Sequence, residues 1–236
     1  MRKVASGVYE VSLPRRGIPV NAFLVAGESL ALVDTGVPGR WQQLADAVRE
    51  IRRDPAEIRQ VAITHHHIDH VGSLAAVVAQ TGAQVFAHPA EAPLISGALA
   101  PPPKVGRSLS SRLRIALTDL VGWTEAVPAK VDHEVVDDVV MAGAGLRVIH
   151  TPGHTAGHLA FLHSASGVLF VGDSAANVLR RLSGPIGNHD EDHRAAVASI
   201  VKLAQVDCDT ICFGHGRVIA SGGRRRLTEL AERLSG

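Results

Sequence analysis

Residues 61–70 read VAITHHHIDH, in which a short apolar segment is followed at once by a cluster of histidine and aspartate. The apolar residues 61–63 are typical of a buried β-strand. In an extended chain the side chains of residues i and i+2 point the same way. We therefore expect His65 and His67 to point at one centre, while His66 points away from it.

Asp69 and His70 follow after the chain turns, and we expect them to reach a second centre close to the first. Imidazole and carboxylate groups are suitable ligands for zinc, iron or manganese. The segment therefore indicates a metal site that has at least two groups of ligands.

Three further apolar segments end in residues of the same kind. His154, Asp173 and His215 each follow a short apolar run, and each has a glycine beside it that allows a sharp turn or a close approach of the backbone. Sites in layered α/β folds are commonly built at strand ends. Since these residues are far apart in sequence, only a complete fold can bring them together.

The rest of the chain alternates predicted strands with predicted helices. Apolar and alternating patterns predict strands at 4–12, 18–26, 30–33, 61–63, 84–87, 131–136, 139–141, 146–149, 159–163, 168–171 and 210–213. Amphipathic patterns predict helices at 39–52, 72–80, 190–204 (with Asp190 as its N-cap) and 224–234. We expect one domain over residues 1–236, with a helical insertion or lid at about 90–130 and a helix at 108–121 within it.

Composition excludes several classes of protein. With 46% hydrophobic and 20% charged residues the chain can bury a core, and no apolar run is long enough to span a membrane. The net charge of +1 provides no broad basic surface for nucleic acid. No apolar export signal opens the chain, and two cysteines do not form a disulfide framework, so we expect a cytoplasmic protein with both cysteines buried.

Taken together, these motifs resemble those of the metallo-β-lactamase superfamily. HHHIDH at 65–70 matches its His-x-His-x-Asp-His signature, and TPGHTAGH at 151–158, GDS at 172–174 and FGHG at 213–216 match its later motifs. VDTG at 33–36 matches a motif whose aspartate, here Asp34, supports the metal loop. The resemblance covers about residues 7–220. It implies an α/β fold, the αββα sandwich, in which two mixed β-sheets lie face to face with helices outside.

The resemblance also implies the roles of individual residues. A first ion is held by His65, His67 and His154, a second by Asp69, His70 and His215, and Asp173 bridges the two. Asp69, His70 and Asp173 are the implied catalytic residues, and Asp34 orients a ligand. The implied cofactors are two divalent ions, with Zn²⁺ as the first expectation and Fe or Mn as alternatives.

The chemistry that follows is metal-dependent hydrolysis. Two divalent ions lower the pKa of a water, and the resulting bridging hydroxide attacks the carbonyl of a small ester, thioester or lactone. One alternative is a mononuclear iron persulfide dioxygenase, which in that branch uses His154, Asp173 and one histidine of the first motif. Others are a β-lactamase-like or nuclease member of the superfamily, or a non-enzymatic metal-binding member.

The substrate is less well indicated. Arg180 and Arg181, in the segment 177–185 after Asp173, are predicted to bind a substrate carboxylate. The apolar residues of the insertion at 90–130 fit a lid that covers an acyl chain of the substrate. They fit equally well a helix pair that packs on the core or on another subunit. We expect a small-molecule substrate, no membrane partner and no nucleic acid, and the sequence leaves homo-oligomerisation open.

Overall fold

Two β-sheets pack face to face, and helices cover the outer side of each. The computed structural model describes residues 1–14, 17, 19–100, 126–185 and 190–236. The predicted αββα sandwich is confirmed by this arrangement. No helix among the described residues is long and apolar enough to cross a membrane.

The strands of the first sheet are β1 (Arg2–Ala5), β2 (Val8–Ser12), β3 (Asn21–Ala26), β4 (Leu30–Val33), β5 (Ile58–Ala62), β6 (Gln84–Ala87) and β7 (His133–Glu134). Among the described residues their order in the sheet is β1-β2-β3-β4-β5-β6-β7. The pairs from β1 to β4 are antiparallel and the pairs from β4 to β7 are parallel.

The strands of the second sheet are β8 (Val140–Met141), β9 (Leu146–His150), β10 (Leu159–His163), β11 (Val168–Phe170) and β14 (Thr210–Cys212), and a separate hairpin is formed by β12 (Ala176–Val178) and β13 (Arg181–Ser183). Among the described residues the order in the second sheet is β14-β11-β10-β9-β8. Its pairs are antiparallel except for β11 and β14, which run parallel.

Helices form the outer layers. They are α1 (Trp41–Glu50), α2 (Ile68–Val71), α3 (Leu74–Thr81), α4 (Ala92–Ile95), α5 (His193–Leu203) and α6 (Gly223–Ser235). The buried faces of α1 and α3 cover the first sheet, and those of α5 and α6 cover the second. Apolar side chains from both sheets fill the layer between them. Phe23 and Phe170 are in contact there, with their ring centres 5.3 Å apart and their ring planes tilted by 56°. Each such buried aromatic stabilises the fold by about 1.5–3 kcal/mol.

The site lies where strands of both sheets end. β9, β11 and β14 run in the same direction, so their carboxyl ends meet at one edge of the second sheet. The segments that follow β5, β9, β11 and β14 are the ones that contain the candidate ligands. This explains how residues between positions 65 and 215 come together.

Several predicted elements differ from the structure. The predicted strand 4–12 is two strands, because the chain reverses at Gly7, whose φ of +69° suits glycine. The predicted meander at 131–149 is divided between the sheets, since β7 pairs with β6 and only β8 and β9 join the second sheet. The predicted substrate loop at 177–185 contains the end of β12 and all of β13.

The helix predicted at 190–204 begins later than expected. Its N-cap is Asp192, whose side chain accepts a hydrogen bond from the Ala195 N–H, so the expectation of an Asp190 cap is wrong. Residues 101–125 of the predicted insertion, with the helix expected at 108–121, lie outside the described residues. The two cysteines, Cys208 and Cys212, are unpaired and buried, as predicted.

Candidate metal centre

Three histidine rings converge beyond the carboxyl end of β5. His65 Nε2 lies 3.0 Å from His67 Nδ1, which lies 3.0 Å from His154 Nε2. These three residues each offer a nitrogen within 4.8 Å of the others. Burial above all, with a smaller effect of neighbouring histidines, holds the pKa of His65 and of His67 well below the ordinary value, so both rings are neutral with a lone pair to offer.

A second group lies beside the first. Asp69 and His70 stand on the short helix α2, and His215 follows β14. Their ligand atoms also lie within 4.8 Å of one another, and His215 Nε2 is 3.3 Å from Asp69 Oδ2. The fold therefore brings together both groups of side chains that the family resemblance implies.

Asp173 stands between the two groups. Its Oδ1 lies 3.3 Å from His70 Nε2, and its Oδ2 lies 3.3 Å from His215 Nε2 and 3.7 Å from His154 Nε2. One carboxylate therefore faces nitrogens that belong to both groups. Burial alone would raise the pKa of Asp173, but the adjacent His215 and His70 hold it well below its ordinary value.

The outward-facing nitrogens of three rings have fixed acceptors. His70 Nδ1 donates to Asp34 Oδ2 at 2.8 Å, and His215 Nδ1 donates to the Pro19 carbonyl at 2.6 Å. His154 Nδ1 lies 3.3 Å from Asp190 Oδ1, a contact that fits donation to the carboxylate. Because these oxygens accept only, the Nδ1 atoms carry the protons and the Nε2 atoms face the centre.

Asp34 contacts two parts of the first motif at once. Besides the bond from His70 it accepts a hydrogen bond from the Thr64 N–H at 2.9 Å, and its backbone is held at a φ of +59°. The predicted role of Asp34 in orienting a ligand is therefore supported by its hydrogen bond with His70. Burial opposes the charged form of His70, but Asp173 and Asp34 raise its pKa to about 10.

The residues present fit divalent ions. His70 Nε2 and Asp173 Oδ1 are buried and lie 3.3 Å apart, and neither makes a well-formed hydrogen bond among the described residues, although both point towards the shared centre. A β-carbon at Gly214 would overlap the Asp173 carboxylate and the His70 ring, so glycine there leaves room for the donor atoms. Nitrogen and carboxylate donors in two adjoining groups are the set that zinc and similar ions take.

His158 supports the centre without joining either group. Its Nε2 accepts a hydrogen bond from the Asp173 N–H at 3.1 Å, and its Nδ1 lies 2.8 Å from Thr151 Oγ1. Burial, with a smaller effect of His154, lowers its pKa to about 3. A neutral His158 thus holds the backbone of Asp173, which agrees with a structural role.

Two carboxylates with buried side chains near the centre are not apparent from the sequence pattern. Asp190 lies against His154, and Glu91 accepts hydrogen bonds from the residue between His65 and His67. Glu91 follows β6, the parallel neighbour of β5, and that placement is the one signal that would have indicated it. Nothing in the local sequence distinguishes Asp190 from a helix cap.

Arg180 and Arg181 are not part of the histidine cluster. They lie at the turn of the β12–β13 hairpin, with Arg180 at a φ of +63° and both residues exposed. The hairpin is joined to the site through Asn177, whose N–H donates to the His215 carbonyl at 3.2 Å. The two arginines therefore stand on a projection attached beside a candidate ligand.

Replacing Glu91 with glutamine should make the stability of the metal-free protein less dependent on acid pH. Burial alone would raise the pKa of Glu91, but the His66 contacts lower it to about 2, against 4.5 when the chain is unfolded. The stabilisation is present above pH 4.5 and is lost as the pH falls through about 2. It amounts to about 3 kcal/mol at neutral pH.

The measurement is the free energy of urea unfolding from pH 7 to pH 2 in the presence of chelator. The wild type should lose more stability between pH 5 and pH 2 than Glu91→Gln does, and the exposed Glu28→Gln should behave as the wild type. Parallel curves for the wild type and Glu91→Gln would show that Glu91 is not a charged, hydrogen-bonded group in the folded protein.

Comparison with known proteins gives a consistent picture. A sequence profile of the metallo-β-lactamase superfamily matches residues 15–215. The probable metallo-hydrolase YflN of Bacillus subtilis is 28% identical to this chain, over 99% of this chain and 93% of its own length.

Solved structures show the same fold. The metallo-beta-lactamase family protein TTHA1429 from Thermus thermophilus is 26% identical with a TM-score of 0.71, covering 98% of this chain and 80% of that one. TTHA1623, solved in a di-iron-bound form, is 26% identical with a TM-score of 0.66, covering 92% and 96%. The subclass B3 metallo-beta-lactamase BJP-1 of Bradyrhizobium japonicum, with a TM-score of 0.70 over 99% and 89% of the chains, is 20% identical and is similar in fold alone.

Proposed function

The chain belongs to the metallo-β-lactamase superfamily, and from this premise we propose that it hydrolyses a small ester, thioester or lactone with two divalent metal ions. The observation that supports two ions best is the position of Asp173. Its carboxylate faces His154 of one ligand group and His70 and His215 of the other. A carboxylate in that position suits a ligand shared between two ions.

The ligands divide into two groups in this proposal. His65, His67 and His154 hold one ion, Asp69, His70 and His215 hold the other, and Asp173 contacts both. Two divalent ions supply a water of lowered pKa and an electrophile for the carbonyl oxygen. We take Zn²⁺ as the first expectation, with Fe and Mn as alternatives.

The protein's own groups then orient the reactants. Asp69 is partly exposed, and its Oδ2 lies beside His215 at the open side of the second group. In this position it can accept a hydrogen bond from the attacking water and aim a lone pair at the substrate carbonyl. The hydrogen bond to Asp34 holds the His70 ring in its orientation, so the ligand geometry is already formed before the reaction.

A water nucleophile is favoured because neither cysteine can serve. Cys208 and Cys212 are buried among the apolar side chains of the second sheet, Cys208 beneath α5 and α6 and Cys212 between the sheets. Burial raises the pKa of the Cys208 thiol to about 11 and that of Cys212 well above its usual range. A reactive cysteine needs a lowered pKa and access to the substrate.

We further propose that Arg180 and Arg181 bind a carboxylate of the substrate. The β12–β13 hairpin places them on a projection whose base contacts the His215 carbonyl. A guanidinium group binds a carboxylate through two parallel hydrogen bonds, which makes arginine suited to this task.

The proposal is tested by the metal content of protein purified without added metal or chelator. We expect about two equivalents of a divalent metal per chain, and loss of hydrolysis on chelation with recovery on adding Zn²⁺ back. A panel of esters, thioesters and lactones, each with and without a carboxylate, then identifies the bond and tests the two arginines.

Other outcomes would overturn the proposal. One equivalent of iron and persulfide-dependent oxygen consumption would assign the chain to the dioxygenase alternative. Two bound ions without turnover of any substrate in the panel would reject the ester, thioester and lactone class.

A further inference from the structure

Glu91 is a buried carboxylate that touches two of the loops around the candidate metal centre. The residue is 1% exposed. Its Oε2 accepts a hydrogen bond from the His66 N–H at 2.8 Å and lies 2.5 Å from His66 Nδ1. Its Oε1 accepts a hydrogen bond from the Gly157 N–H at 2.9 Å.

The two loops are those that supply the three-histidine group. His66 stands between His65 and His67, and Gly157 lies in the same short turn as His154. One side chain therefore links the backbone on both sides of the three converging nitrogens. In the described residues no other carboxylate contacts both loops in this way.

The side chain of Glu91 stands on a fixed backbone. The Glu91 N–H donates to the His88 carbonyl at 2.9 Å, and the Glu91 carbonyl accepts from the Ile95 N–H at 2.9 Å, at the start of α4. Since His88 directly follows β6, the first sheet determines where the carboxylate lies.

Gly157 is packed directly against this carboxylate. A β-carbon at position 157 would lie 2.7 Å from Glu91 Cγ, 2.8 Å from Glu91 Oε1 and 2.9 Å from His88 Nδ1. Real β-carbons do not approach other atoms so closely, so the carboxylate and any larger residue at 157 exclude each other. The contact with Glu91 thus explains why glycine occupies position 157.

We propose that Glu91 is a positioning residue that fixes the distance between the His65–His67 loop and the His154 loop, and so determines the metal affinity of the three-histidine group. The inference rests on the proposed two-metal function. The carboxylate acts through backbone N–H groups, whereas Asp34 acts on the side chain of a ligand. Glu91 contacts none of the expected ligand atoms of either ion, and it is not a catalytic residue.

The experiment is a stepwise titration of metal-free protein with Zn²⁺ against a chromophoric competitor. The wild type should show two binding steps, and the step that His67→Ala removes belongs to the three-histidine group. Glu91→Gln should weaken that step by about 10- to 100-fold, the range typical for the loss of a group that orients metal ligands from outside the ligand set. The other step should change by less than about threefold, and the control Glu28→Gln should change neither.

Gly157→Ala provides a second route to the same contact, because the added methyl group displaces the carboxylate from its place. It should weaken the same step, and the double variant should be no weaker than the worse single variant, since both changes break one link. The inference would be overturned by additive losses in the double variant, by equal weakening of both Zn²⁺ binding steps, or by an unchanged binding step at the three-histidine group. A wild type that binds fewer than two ions would instead contradict the proposed function, so the two failures are distinguishable.

Discussion

Asp69→Ala should fold as the wild type does and lose hydrolysis by at least about a thousandfold, equivalent to about 4 kcal/mol in the barrier. The Asp69 side chain is partly exposed on α2, and its contact is with His215 Nε2 at 3.3 Å. Because it fills no part of the apolar core, its removal leaves the packing intact. In the proposed mechanism, the substitution takes away both a ligand of the second group and the acceptor for the attacking water.

The measurement is kcat/KM on the best substrate of the panel, together with metal content and thermal unfolding. Asp46→Ala is a suitable control, since Asp46 is an exposed carboxylate on α1 that pairs with Arg49. Exposed pairs of this kind contribute about 0–1 kcal/mol, so this variant should retain full activity. A variant Asp69→Ala with one ion bound and most of its activity would contradict a two-metal mechanism.

The elements that the sequence predicts well are those with strong local patterns. β4 and the β10–β11 hairpin are found where continuous apolar runs and a turn of small polar residues predict them. The helix α1 lies within the predicted 39–52, with its apolar face on the first sheet. In each case the signal and the structure involve neighbouring residues.

The elements that sequence analysis misplaces depend on distant partners. β7 has only two residues, and its parallel pairing with β6 in the first sheet cannot be deduced from a pattern that equally suits a meander. The break between β1 and β2 depends on one glycine with a positive φ. The β12–β13 hairpin turns through Leu179 and Arg180, two non-glycine residues with positive φ, so no usual turn signal indicates it.

The same distinction applies to the site. The seven candidate ligands follow apolar strands in recognisable motifs, so the local sequence is enough to indicate them. Glu91 and Asp190 belong to no such motif, and their significance comes from burial against His66 and His154. No motif marks such residues, because their partners become neighbours only when the sheets assemble, and the position of Glu91 after β6 is the one signal in the sequence.

Asp173→Ala should lower the amount of bound metal more than a substitution of any residue that only supports the ligands. His158→Ala is the matched comparison. Asp173 lies within 3.3 Å of nitrogens on His70 and His215 and within 3.7 Å of His154 Nε2. In the proposed site, its loss therefore removes a donor from both ligand groups. We expect both Zn²⁺ binding steps to weaken by more than about a hundredfold, beyond the typical cost of losing an outer partner.

His158→Ala removes a group that acts on Asp173 only through the backbone, where His158 Nε2 accepts the Asp173 N–H. The unpaired N–H and the cavity lower the stability of the fold by about 2–4 kcal/mol, while metal affinity falls by about 10- to 100-fold. Metal content after dialysis and the two-step titration separate the variants, with unfolding measured on the metal-free forms. Equal metal loss in both variants would mean that the proposed ligand list is wrong at His158.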